Sequence, residues 1–156
     1  MISEPESDIW VQRSPGKEEK PENNQFYARD DRNEGSLYYN GTLGKEADSV
    51  FLKIFADDVL YKKECLKLAN DKAYAFAAKL KPGLIKYMVV FGSKGGNREE
   101  GLDTVRNIVC GDAYIIDGQS NAEANDFGKA VNPYTSEWVR SYGSAAANTS
   151  RARLKL

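Results

Sequence analysis

A serine stands at position 120, in Gly118-Gln119-Ser120-Asn121, directly after the apolar run Ala113-Tyr114-Ile115-Ile116. Nucleophilic catalysis is the chemistry that such a placing could serve. An apolar run of this length, bounded by Gly111-Asp112 and Asp117-Gly118, reads as a short strand covered on both faces. A hydroxyl just past the carboxyl end of such a strand projects from a rigid base into the crevice where open α/β sheets hold ligands. Gly118 lets the backbone turn through angles that a Cβ resists. The hydroxyl is a poor nucleophile until a neighbouring base takes its proton, and that base is usually histidine. The chain has no histidine in its 156 residues. Asp117 and Glu123 flank the serine, but a solvated carboxylate, with a pKa near about 4, is too weak a base at neutral pH. Arg140 could clamp a sugar or a carboxylate, or be a solvated surface arginine. The bland alternative for the whole stretch is a polar turn after a core strand.

The elements upstream must position this stretch. From Gln25 to Ile108 the apolar residues alternate with period two between turn signals, which predicts strands and no helical face. Strands are expected at Gln25–Ala28, Ser36–Asn40, Val50–Ala56, from Val59 onward, Ala73–Leu80, Leu84–Phe91 and Leu102–Ile108. In the third, Val50, Leu52 and Ile54 share one face, and Phe51, Lys53 and Phe55 the other. In the fifth, Tyr74, Phe76 and Ala78 share a side. Asp57-Asp58 and Lys81-Pro82-Gly83 read as turns, and Ser93–Asn97 as a loop. Leu66 and Ala69 fall at helical spacing, so Lys62–Asn70 reads as a continuing strand or as a helix. The aromatic residues Tyr38, Tyr39, Tyr74, Phe76 and Tyr87 either fill a core or form a platform on which a sugar could stack. Together these signals predict a small antiparallel β-sandwich of immunoglobulin-like kind over 25–109.

Residues 1–24 are polar, with Ser14-Pro15-Gly16 and a mixed charge run, and predict a disordered or loosely packed tail. Ile9-Trp10-Val11 within it could be a short strand or an anchor. No basic stretch followed by an apolar one marks a signal peptide. After Glu123 come a turn-rich loop over Asn125–Pro133, then Ser136–Arg140 as a short strand or helical turn. Ser144–Leu156 has no core-forming pattern and is expected to fray.

Composition narrows the function classes. Hydrophobic residues make up 41% and charged residues 29%, with a net charge of −1. There is no basic field for nucleic acid or an anionic membrane, and no apolar run approaches the roughly 20 residues of a span. Cys65 and Cys110 show no metal-site spacing, so neither a metal nor a cofactor is called for. A disulfide between them and two free thiols both remain open, as does the oligomeric state.

The block Gly111-Asp112-Ala113-Tyr114-Ile115-Ile116, then Gly118-Gln119-Ser120-Asn121, then Glu137-Trp138-Val139-Arg140-Ser141-Tyr142-Gly143, resembles the first conserved block of the SGNH hydrolases. Within them it is most similar to the sialate O-acetylesterase and carbohydrate acetylesterase group. Arg29-Asp30 and the Pro82-Gly83-Leu84…Tyr87 turn-strand resemble the β-module that precedes this block in such chains. The resemblance implies Ser120 as catalytic nucleophile, its own N–H as one oxyanion donor, and Gln119 and Asn121 orienting loop and substrate. For the latter two, turn hydrogen bonding is the alternative. It implies an acetylated carbohydrate as partner, an extracellular or periplasmic setting, and a parallel flavodoxin-like α/β sheet. Each βαβ unit of such a sheet takes roughly 30 residues. Residues 110–156 therefore read as the first strand and nucleophile turn of a truncated hydrolase domain. The family's later Asp-x-x-His block has no counterpart here. The expected activity is removal of O-acetyl groups from sugars through an acyl-serine, with the chain inactive alone. The alternative is a non-catalytic β-sandwich that binds carbohydrate or a partner.

Overall fold

The computed structural model describes residues 18–115, 118, 136–139, 141–143 and 153–155. It divides into two compact units, Met1–Asp112 and Ala113–Leu156. The first is mainly β, and no helix occurs among the described residues. Its strands are β1 Phe26–Ala28, β2 Gly35–Thr42, β3 Ser49–Ala56, β4 Val59–Lys67, β5 Ala73–Leu80, β6 Tyr87–Gly95 and β7 Arg98–Gly111. One sheet has the order β1-β7-β6-β3-β4, and a second pairs β2 with β5. All pairs are antiparallel except β1 with β7.

The alternation read from the sequence decides which residues the two sheets bury between them. Val50, Leu52 and Ile54 of β3 are at most 2% exposed, and they join Val89 and Phe91 of β6 and Ile108 of β7. Opposite them lie Leu37 and Tyr39 of β2 and Phe76, Ala78 and Leu80 of β5, in one continuous core. Three of the five aromatic residues weighed as a platform, Tyr39, Phe76 and Tyr87, are at most 3% exposed. They fill the core: the Tyr39 ring stacks on Phe91 with centroids 4.7 Å apart. The Tyr39 hydroxyl donates to Asp103 Oδ2 at 2.7 Å, and that of Tyr87 accepts from the Lys81 N–H and donates to the Lys81 carbonyl, both at 3.0 Å. Burying these rings therefore leaves both hydroxyls partnered.

Several boundaries moved. Lys62–Lys67 is strand, not helix, because β4 pairs with β3 from Val59↔Ala56 to Lys67↔Ser49. Leu84 does not begin a strand: it lies in a bend and is 73% exposed. The strand starts instead at Tyr87, after Lys86 N–H has bonded Asp57 Oδ1 and Asp57 N–H the Lys86 carbonyl. The expected loop at Ser93–Asn97 is mostly ladder. β6 runs to Gly95, turns at Gly96-Asn97 and returns as β7. Gly96 has φ +57, suited to a two-residue hairpin turn, and its N–H bonds Asp48 Oδ2 at 2.7 Å. Upstream, the chain is in place from Glu19, whose N–H and carbonyl both pair with Asn40. Pro21 is fully buried, and Asn23 and Asn24 bond Arg106 and Asn107. Polar composition gives no hint of this, since the anchoring is by backbone and amide groups. Ile9-Trp10-Val11 lies outside the described residues.

Cys65 is exposed, Cys110 is buried, and both are free thiols. Burial pushes the Cys110 thiol above its ordinary pKa, which makes it a poor nucleophile.

In the second unit, Glu137-Trp138 form a turn: the Val139 N–H bonds the Ser136 carbonyl and the Trp138 N–H the Ser136 Oγ. β8 Ser141–Gly143 pairs antiparallel with β9 Arg153–Lys155. The basic end expected to fray thus carries a strand, because backbone pairing needs no apolar pattern.

On the outer face of the larger sheet, Glu99 accepts from Lys53 Nζ at 2.7 Å and Lys63 Nζ at 2.9 Å. Those bonds, Lys53 first, hold the Glu99 carboxyl down to about 2. A depressed carboxyl favours the fold above the ordinary carboxylate range, and that contribution is lost as pH falls toward 2. In an NMR titration the Glu99 carboxyl carbon should move near pH 2 in the native chain and clearly higher in Lys53→Gln. Titration of native Glu99 at the ordinary value of about 4.3 would show that the two lysines do not hold it.

Candidate functional site

The serine stretch can be built only up to its threshold. Ser120, Gln119 and Asn121 lie outside the described residues, as do Asp117, Glu123 and Arg140. The lead-in differs from expectation. Ala113, Tyr114 and Ile115 form no strand, and Tyr114 and Ile115 are 83% and 96% exposed. An apolar run becomes a covered strand only when neighbours pair and cover it, and no such partner occurs among the described residues. Gly118 is also exposed and outside any strand.

Three sequence-distant pieces singled out by the resemblance converge at the end of β7. Parallel pairing sets Tyr27 beside Cys110 and Ala28 beside Gly111. The Arg29 N–H then bonds the Gly111 carbonyl, and the Arg29 guanidinium pairs with Asp112. Asp30 folds its own loop back: its Oδ1 accepts from the N–H groups of Arg32 and Glu34. Those bonds, Glu34 first, hold its carboxyl below the ordinary range. From the turn after β5, the Gly83 N–H bonds the Cys110 carbonyl. Arg29, Gly83 and Asp112 thus fix the point at which the chain leaves the first unit toward Ser120.

A second feature was not foreseen. A groove of about 440 Å³ is lined by Ser36, Tyr38, Tyr61, Lys62, Ala77 and Lys79, a volume within the range of small-ligand sites. Its floor is the outward face of β2 and β5, where Ser36 is opposite Lys79 and Tyr38 opposite Ala77. Its wall comes from an irregularity in β4. Ile54 pairs with Lys62 and Phe55 with Leu60, so Tyr61 is left unopposed as a bulge. A bulge re-aims the side chains beside it. The Tyr61 hydroxyl donates to the Lys79 carbonyl at 3.3 Å, and Lys62 Nζ to the Ala77 carbonyl at 2.9 Å. The Tyr61 ring meets Tyr87 edge-on with centroids 5.7 Å apart. Lys79 Nζ bonds Ser36 Oγ at 2.7 Å.

The groove therefore offers two phenol rings, two ammonium groups and a hydroxyl on a rigid frame. Those groups can stack against a ring and donate hydrogen bonds, and the one serine among them, Ser36, accepts from Lys79 Nζ. Among the described residues no group of three His, Cys, Asp or Glu could hold a metal ion. Of its lining, sequence reading had singled out only Tyr38, as one of the aromatic candidates; Tyr61 was read only as part of a strand. The available signal was the hydroxyl and charge on alternate outward positions of β2 and β5, but only the bulge assembles the wall.

Compared with protein-family models, curated proteins and solved structures, the chain matches none.

Proposed function

We propose that this chain is part of a carbohydrate esterase of the SGNH hydrolase type, similar to the sialate O-acetylesterases, which removes O-acetyl groups from extracellular or periplasmic glycans through an acyl-Ser120. In this reading the two sheets of residues 25–109 are an immunoglobulin-like sandwich, and residues 110–156 begin the catalytic domain. Gln119 and Asn121 orient the nucleophile turn. The observation that carries it is the Tyr114-Ile115 pair, exposed immediately before Gly118-Gln119-Ser120-Asn121. Large exposed apolar side chains leading into that sequence are a surface that a further part of the fold or a partner could cover. The chemistry also requires a base that these 156 residues do not contain, since histidine is absent.

The expected result with p-nitrophenyl acetate and an acetylated sugar is the same near-background rate for the 156-residue chain and Ser120→Ala. Serine hydrolases stripped of their base retain roughly 10³–10⁴-fold over water from binding and the oxyanion hole, and one backbone donor supplies little of that. Fusion to a segment bearing an Asp-x-x-His block should restore turnover, and Ser120→Ala should abolish it. Turnover by the fusion that survives Ser120→Ala would refute Ser120 as nucleophile. Saturable turnover by the short chain, lost in Ser120→Ala, would refute the need for an outside base.

The groove supports a second role for the first unit, a non-catalytic carbohydrate-binding module. Tyrosine rings with nearby polar donors are the usual furniture of sugar recognition, because a pyranose has one apolar face and a polar rim. Such a module would keep an attached esterase at its glycan.

A further inference from the structure

We propose that the groove between β4 and β5 binds a sugar ring that carries a carboxylate, of the hexuronate kind, an inference that rests on the carbohydrate-binding reading of the first unit. A peptide strand is the obvious competitor, since the groove runs along the open edge of β5. Strand addition needs free backbone groups on that edge. Two of its carbonyls, those of Ala77 and Lys79, are already taken by Lys62 Nζ and the Tyr61 hydroxyl. What the groove leaves for a ligand is therefore side-chain chemistry.

Lys62 and Lys79 flank the groove, and their present acidic partners are weak ones. Lys79 Nζ lies 3.8 Å from Asp30 Oδ2, with the two side chains 51% and 44% exposed. Lys62 pairs with Glu64 at 2.9 Å, with both side chains over a third exposed. Surface pairs of this kind contribute little to stability, so a ligand carboxylate can replace or share them at small cost. Each ammonium has three donors. Lys62 spends one on Ala77 and Lys79 one on Ser36, which pre-orients the remaining protons. Tyr38 and Tyr61 supply the rings, and the Tyr61 ring is held by its contact with Tyr87 and its bond to Lys79. Preorganised rings and charges bind at reduced entropic cost.

The test titrates the full chain with a galacturonate trisaccharide, the neutral galactose trisaccharide and polyglutamate, followed by amide NMR shifts. The acidic sugar should bind about tenfold more tightly than the neutral one, the size of one charge-assisted contact. Shifts should centre on Ser36, Tyr38, Tyr61 and Lys79. The double variant Lys62→Gln, Lys79→Gln should lose the preference while retaining neutral-sugar binding, and Tyr38→Ala should weaken both sugars. Equal affinity for the two sugars overturns the carboxylate inference and leaves the module reading standing. Polyglutamate binding as tightly as the galacturonate also overturns it, since charge alone would then suffice. Binding of neither sugar overturns the inference and the module reading together. Thermal melts of the variants within a few degrees of the parent exclude misfolding, as expected for half-exposed lysines.

Discussion

Gly92→Ala is expected to destabilise the first unit by about 3 kcal/mol, the upper part of the overpacking range. A Cβ at this position would stand 2.2 Å from Phe51 Cζ and 2.3 Å from the Glu100 carbonyl oxygen. The aromatic ring could rotate or slide away. The carbonyl cannot, because Glu100 sits in the β6–β7 ladder opposite Ser93. Phe51 lies on the face of β3 opposite the core but is only 3% exposed. Its ring lies against Gly92, and Lys53 Nζ is 4.6 Å from its centroid. The methyl would thus prise apart both the ring contact and the ladder. A melting temperature lower by on the order of 15 °C follows for a unit of this size. Gly95→Ala is the control: its Cβ would meet nothing within 4 Å, so stability should stay within about 0.5 kcal/mol. Urea unfolding measures both. A loss below about 1 kcal/mol for Gly92→Ala would mean that the strands yield where the ladder says they cannot.

Alkali should unfold the first unit cooperatively once pH climbs past about 10, the ordinary tyrosine pKa. Four phenols are raised in the fold. Burial is the largest cause for each, with the Glu19 charge adding for Tyr27, the Asp103 hydrogen bond for Tyr39 and the Glu18 charge for Tyr74. For Tyr87 the hydrogen bond with Lys81 opposes the rise without cancelling it. The sign follows from linkage. The fold binds the phenolic protons more tightly than the unfolded chain does, so their contribution is complete below about pH 10 and is lost as pH rises toward the folded values. Each unit of separation is worth about 1.4 kcal/mol per residue, and a domain of ordinary stability has only roughly 5–15 kcal/mol to lose. Phenolate absorbance from these four hydroxyls should therefore rise together with the loss of the β-sheet circular dichroism signal. If the phenols ionised in one step near pH 10 with the sheets intact, the buried hydroxyls would be reached by hydroxide without unfolding.

Much of the core could be read from the chain alone. Val50, Leu52 and Ile54, and Tyr74, Phe76 and Ala78, share faces because side chains in a strand alternate with period two, a local property. The turn at Asp57-Asp58 is equally local: both residues adopt positive φ, 47° and 66°, which Asp tolerates better than most. The reading of Gly118-Gln119-Ser120-Asn121 rests on the same local ground, a short string and its flanks.

Tertiary structure decided what depends on a distant strand. Phe51 lies on the face of β3 opposite Val50, Leu52 and Ile54, as the alternation predicts, yet it is buried, because Gly92 has no side chain to hold its ring off. Tyr61 faces β5 only because β3 and β4 slip by one residue at Ile54/Phe55. That slip depends on pairing between strands and leaves no mark in the composition of either. Ala113-Tyr114-Ile115 has the composition of a covered strand and is open to water, because apolar side chains state a preference for burial that only neighbouring strands can satisfy. Alternation is written residue by residue along one strand, whereas register, bulges and cover are agreements between segments that meet only when the chain has folded.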